Sequence, residues 1–183
     1  RKRLWGRRDQ NQIFDDSAGP MGKDRPSLLN RRVEIGRLQL EGSLTVPAQA
    51  KGLVIFAHGS GSSRLSPRNT RVARVLNARG LATLLFDLLT EREAADRANV
   101  FDISLLSSRV VDAVRWAGQD PDTAALAIGL FGASTGAAAT LVAAAEAADG
   151  VAAIVSRGGR PDLAGEFLPR VRAPTLLIVG GAD

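Results

Sequence analysis

The sequence has no cysteine and no tyrosine, one histidine, one methionine, and only 4% aromatic residues. The lack of cysteine excludes disulfides and thiolate metal sites and fits a cytoplasmic location. With so few aromatics, Leu, Val, Ile and Ala are left to build an aliphatic core. No apolar run reaches the roughly 18 residues of a membrane span. The basic N-terminus is not followed by the apolar region that a secretory signal needs. A soluble protein without a membrane partner is therefore expected.

What is present is 183 residues with 45% apolar and 23% charged content, enough for one domain with a sizeable core. The formal charge of +5 points at first to polyanions, yet five of the 24 basic residues are Arg1, Lys2, Arg3, Arg7 and Arg8. Residues 1–20 have no sustained apolar periodicity and are expected to form a disordered or non-native extension, with residues 21–183 as the domain. Nucleic-acid binding would rest on that tail alone and is not the expected function.

Residues 32–40 alternate between polar and apolar, the period of a strand with one solvated face. A short antiparallel partner is expected at 44–47, with Glu41, Gly42 and Ser43 as the turn and Pro47 ending the ladder. The pattern then changes to continuous apolar runs at 53–57, 81–86, 126–131, 151–155 and 175–179. Such runs are buried on both faces, and their spacing leaves room for helical crossovers. The prediction is a mostly parallel sheet with helices on both sides and an antiparallel edge formed by the first two strands.

Between the runs, Val72, Val75, Leu76 and Arg79 recur at helical spacing before Gly80, as do Ile103, Leu106, Val110 and Val114 before Gly118. Residues 136–148 are nearly all alanine, which favours a helix able to approach the sheet closely. Pro161 is placed to open a further short helix, with Leu163 and Phe167 on one face.

Two glycine-rich segments lie at the carboxyl ends of predicted central strands. In Gly132-Ala133-Ser134-Thr135-Gly136, a sharp strand-to-helix turn needs small neighbours because strand and helix close on each other. Such a turn would raise the Ser134 hydroxyl above the sheet and offer the Thr135 amide, at a helix N-terminus, to a developing oxyanion. In Phe56-Ala57-His58-Gly59-Ser60-Gly61-Ser62, the glycines allow close backbone approach, and the Ser60 amide, with Gly59 shaping the approach, is the candidate second donor. The spacing matches neither a dinucleotide fingerprint nor a Walker loop. Asp87 ends a central strand near the same place, and Arg157 and Arg160 follow the run at 151–155; they could bind a carboxylate-bearing substrate, but a loop-capping aspartate and solvated arginines are the more ordinary reading.

These two motifs, with Phe86-Asp87-Leu88-Leu89 and the segment from Pro174 to Asp183, resemble α/β hydrolases of the dienelactone-hydrolase group, in order from about residue 33 to the end. The resemblance implies the α/β-hydrolase fold, Ser134 as nucleophile, and Asp183 as the acid of a catalytic triad. Some relatives are fused to phosphoribosyltransferase domains, of which this sequence shows no sign. The sequence departs from the family twice. Dienelactone hydrolases proper use a cysteine nucleophile, which is absent, so serine-based ester chemistry is the expected activity. The family also places a histidine after the acid, whereas the sole histidine, His58, precedes the nucleophile and is expected to order the oxyanion turn.

The expectation is thus an α/β-hydrolase domain lacking its last helix, strand and helix. It would act on a small-molecule ester or acyl substrate without metal or cofactor, and weakly for want of the triad histidine. The alternative is an inactive binding module for small acyl or carboxylate ligands. The apolar run at 175–179 would be left as an exposed sheet edge open to self-association.

Overall fold

A computed structural model describes residues 28–147 and 150–180; the N-terminal extension proposed for residues 1–20 and the candidate acid Asp183 lie outside the described residues. Strands β1 (Leu28–Ile35) and β2 (Leu40–Pro47) pair antiparallel from Leu28 opposite Pro47 to Ile35 opposite Leu40. The hairpin turn is therefore at residues 36–39 and not at 41–43. Gly36 supplies a φ of 66°, and the Gln39 amide donates to the Gly36 carbonyl at 3.2 Å. Gly42 lies inside β2, between Val33 and Phe86 on the neighbouring strands, so the alternation of 32–40 runs through a turn rather than along one strand.

The remaining strands are β3 (Leu53–Ala57), β4 (Ala82–Phe86), β5 (Ile128–Ala133), β6 (Ala153–Arg157) and β7 (Thr175–Ile178). The sheet runs in the order β1-β2-β4-β3-β5-β6-β7; β2 meets β4 antiparallel and every later pair is parallel. All five residues of β4 are buried, as an apolar run covered on both faces requires.

Helix α1 (Pro67–Ala78) is capped by the Ser66 hydroxyl, which accepts from the Asn69 amide, and ends where Gly80 takes a φ of 80°. It covers one sheet face, where Val72 and Leu76 pack on Phe56, Leu85 and Phe131. Val75, expected in the same stripe, points outward at 56% exposure. The short helices α2 (Glu91–Ala94) and α3 (Arg97–Phe101) lead into α4 (Ile103–Ala117), whose Leu106, Val110 and Val114 are buried as the spacing predicted. Helix α5 (Thr135–Ala147) is buried from Thr135 to Ala145, its small side chains allowing contact with the sheet on one side and α4 on the other.

Residues Pro161–Arg170 form 3₁₀ turns rather than an α-helix, because Gly165 breaks the run with φ 45° and ψ −122°. Leu163 and Phe167 still border the same hollow, with Phe167 packed on the core and Leu163 39% exposed.

Candidate active site

Strand order reverses at β3, with β4 on one side and β5 on the other, and loops leaving the carboxyl ends of β3 and β5 meet in the crevice this creates. Ser134 stands between the last residue of β5 and the first of α5 with a φ of 52°, a left-handed backbone that is costly for a serine. The flanking glycines are sterically obligatory. A Cβ at Gly132 would lie 2.4 Å from the Ala137 Cα, and one at Gly136 would lie 2.3 Å from the Ala57 carbonyl oxygen. Closure of α5 onto β3 and β5 therefore dictates the Gly-x-Ser-x-Gly pattern. Among the described residues, the Ser134 hydroxyl has no hydrogen-bond partner.

The turn after β3 packs directly on this elbow: a Cβ at Gly59 would stand 3.0 Å from the Ser134 Cβ. His58, Gly59, Ser60 and Thr135 border one cavity of about 300 Å³. Thr135 is the first residue of α5, where amides have no acceptor within the helix, and the Ser60 amide donates to no acceptor among the described residues. Two amides are thus left available beside the elbow. The Thr135 hydroxyl is buried without a partner.

His58 is committed to holding the turn. Its Nε2 accepts from the Leu88 amide at 3.2 Å, which requires the proton on Nδ1, and Nδ1 donates to the Gly59 carbonyl at 3.0 Å. Burial lowers its pKa, outweighing the opposing effects of the Gly59 hydrogen bond and the Asp87 charge, and the imidazole is held neutral.

Asp87 follows β4 and borders the same cavity, where its carboxylate accepts from the Arg64 amide and from Arg64 Nη1, each at 2.6 Å. Arg64 Nη2 is also paired with Glu41. Arg64 thus clamps the far end of the 58–64 loop to β4 and to the β-hairpin. Nothing in the local sequence pointed to Arg64, since its partners are 23 residues away on either side.

Arg157 is not brought to the cavity. Alternation along β6 puts it on the same face as Val155 and the neighbouring Phe131, and its guanidinium carbon lies 5.9 Å from the Phe131 ring centroid. Its Nε is buried without a partner. Arg160 is bound to Asp162. The two arginines that could have bound a carboxylate are therefore absent from the cavity wall.

The wall opposite the elbow is apolar, made by Leu88, Leu89, Ala94, Val100 and Leu106, and α2 and α3 form part of it. These short helices were legible but missed. Thr90 and Glu93 form a reciprocal capping box at the start of α2, and Asp96 caps α3. Glu93 also receives Arg109 of α4 at 2.8 Å. Partial burial pushes its pKa up, but hydrogen bonds from Thr90 and the Arg109 charge outweigh it and the net shift is downward. Among the described residues, no group of three or more His, Cys, Asp or Glu is placed to hold a metal, and no helix is long and apolar enough to cross a membrane.

A mostly parallel sheet with helices on both faces, and a strained serine at a strand-to-helix turn above its switch point, define the class: this is an α/β hydrolase fold. No family model matches the sequence. The chain superposes on the crystal structure of dienelactone hydrolase from Anabaena variabilis with a TM-score of 0.81 and 56% identity, covering 86% of this chain and 76% of that one. The chain belongs to the dienelactone-hydrolase-like group of α/β hydrolases.

A dienelactone hydrolase-like promiscuous phosphotriesterase, P91, from metagenomic libraries is similar in fold, with a TM-score of 0.64 at 20% identity over 86% of this chain and 70% of that one. A Mycobacterium tuberculosis protein named as a candidate phosphoribosyl transferase, in strains H37Rv and CDC 1551, is 59% identical over 160 residues, which are 86% of this chain. The chain spans only 36% of the length of that relative.

Proposed function

We propose that this chain carries the nucleophile and oxyanion hole of a serine hydrolase acting on carboxylic esters or related acyl compounds. The observation that carries the proposal is the left-handed backbone of Ser134, at the elbow between β5 and α5 and against the oxyanion turn. In this reading the Ser134 hydroxyl oxygen attacks the ester carbonyl and its proton passes by way of a general base to the departing alcohol. Water then attacks the acyl-serine, releases the carboxylic acid and restores the hydroxyl. The amides of Ser60 and Thr135 take the oxyanion of both tetrahedral intermediates.

The base is not His58, whose two ring nitrogens are engaged with backbone groups. A histidine outside these 183 residues fills that role, oriented by Asp183. The phosphoribosyl transfer in the name of the mycobacterial relative belongs, on this proposal, to the part of that protein that this chain does not span.

The test is labelling by a fluorophosphonate probe of the full natural protein and of its Ser134→Ala variant. Labelling that disappears in the variant is the expected result. A folded full protein that resists the probe and hydrolyses no ester would favour the second reading, a noncatalytic binding module. That reading draws on the commitment of the one histidine to structure.

A further inference from the structure

The cavity beside Ser134 has a charge pattern that the hydrolase reading does not by itself predict. Among the described residues that border it, Arg64 is the only cation, since His58 must be neutral to accept from the Leu88 amide. Arg64 is already shared between Asp87 and Glu41. Asp87 itself borders the cavity, and so does Glu91 at the start of α2, which has no ion-pair partner among the described residues. The two arginines beyond β6 offer no compensation, one lying over Phe131 and the other bound to Asp162. Of the rest of the lining, the side of Ser60, Ser62 and Ser63 is polar but uncharged, and the side of Leu88, Leu89 and Leu106 is aliphatic.

From this we infer that the cavity takes the uncharged, apolar acyl portion of an ester and discriminates against acyl groups that carry a carboxylate. The inference rests on the hydrolase reading for its substrate class. An anionic acyl group entering here would give up part of its hydration, find the one guanidinium already paired, and meet the added negative charge of Glu91, an exposed residue of the lining. A neutral aliphatic acyl group meets none of these costs and removes apolar surface from water against Leu88, Leu89 and Leu106. Specificity of this kind comes from the repulsive element as much as from the attractive wall.

The experiment compares p-nitrophenyl valerate with the analogue in which the terminal methyl is replaced by a carboxylate, using the full protein. The neutral ester is expected to have a kcat/KM at least about tenfold higher, a margin that narrows with added salt. In Glu91→Gln the ratio should narrow by about twofold, the screened effect of removing one exposed charge from the lining. Equal or better hydrolysis of the anionic ester would overturn the inference and leave the hydrolase reading standing. So would a preference that Glu91→Gln leaves unchanged.

If the protein neither hydrolyses an ester nor takes the probe, the hydrolase reading fails. The cavity inference is then decided by calorimetry on the Ser134→Ala protein with valeramide and the monoamide of glutaric acid. Tighter binding of valeramide sustains the inference, and tighter binding of the acid, or no binding of either, sinks it.

Discussion

Ser134 occupies a backbone region that a side chain with a Cβ enters at a cost of order 1 kcal/mol. Glycine has no such cost, so Ser134→Gly is expected to raise stability by about 1 kcal/mol in urea titration while abolishing fluorophosphonate labelling. A destabilised variant would mean that the hydroxyl repays its strain within the ground state. His58 makes a second prediction at this scale. Its pKa in the folded protein lies below its ordinary 6.5, so the unfolded chain takes up a proton at a pH where the folded one does not. Stability contributed by this group is present above 6.5 and is lost as pH falls below it. His58→Gln should remove that slope between neutral and mildly acidic pH, and since the sequence has no other histidine the assignment is direct. Glu93, whose pKa is lowered from 4.5, contributes in a lower window, losing its stabilisation as pH falls below that value. The positions of Ser134 at a strand-to-helix turn and of His58 in the turn after β3 could be read from the sequence because they depend on immediate neighbours: glycines two positions either side, and a turn at the end of an apolar strand. Arg64 could not, because its role exists only once β2 and β4 are paired.

At the scale of elements, α2 and α3 are too short to hold their shape by helix propensity alone, and their stability comes from caps and from the ion pair to α4. Removing the capping hydroxyl with Thr90→Ala is expected to cost about 1 kcal/mol. The loss should appear locally, as faster hydrogen exchange at residues 91–101 with β4 and β5 unaffected. Uniform loss of protection across the sheet would show instead that this wall is cooperative with the core. The longer elements declared themselves by period. Helix α4 buries Leu106, Val110 and Val114 of the predicted stripe and half-buries Ile103, and α5 is buried almost all round, as its alanine content allowed. The hairpin was misplaced because polar–apolar alternation continues across the real turn. Leu38 and Leu40 resume the alternation one residue out of phase with Val33 and Ile35, Leu38 is 46% exposed, and Gly36 and Gln39, with φ of 66° and 53°, mark the reversal.

At the scale of the molecule, alternating runs and crossovers were enough to predict a mostly parallel sheet with an antiparallel edge. The order of strands was beyond them, since it depends on which crossover covers which face. That order sets the last prediction. It places β7 beside β6 with, among the described residues, no further strand on its other side. All four β7 residues are exposed, and Leu176, Leu177, Ile178 and Val179 stand at 58%, 52%, 45% and 68% exposure. An edge that is aliphatic and uncharged offers its free amides and carbonyls to another strand with little to discourage pairing. The 183-residue chain is therefore expected to self-associate through β7, seen as a concentration-dependent rise in mass by sedimentation and light scattering. Leu176 and Ile178 pair with Val155 and Arg157 on one face of β6, so Leu176→Lys with Ile178→Lys would put two charges side by side on a single face of the edge. The double variant should remain monomeric. A monodisperse wild-type chain, or association undiminished by the two lysines, would place the self-contact elsewhere, and exposed Val75 on α1 would then be the next surface to charge.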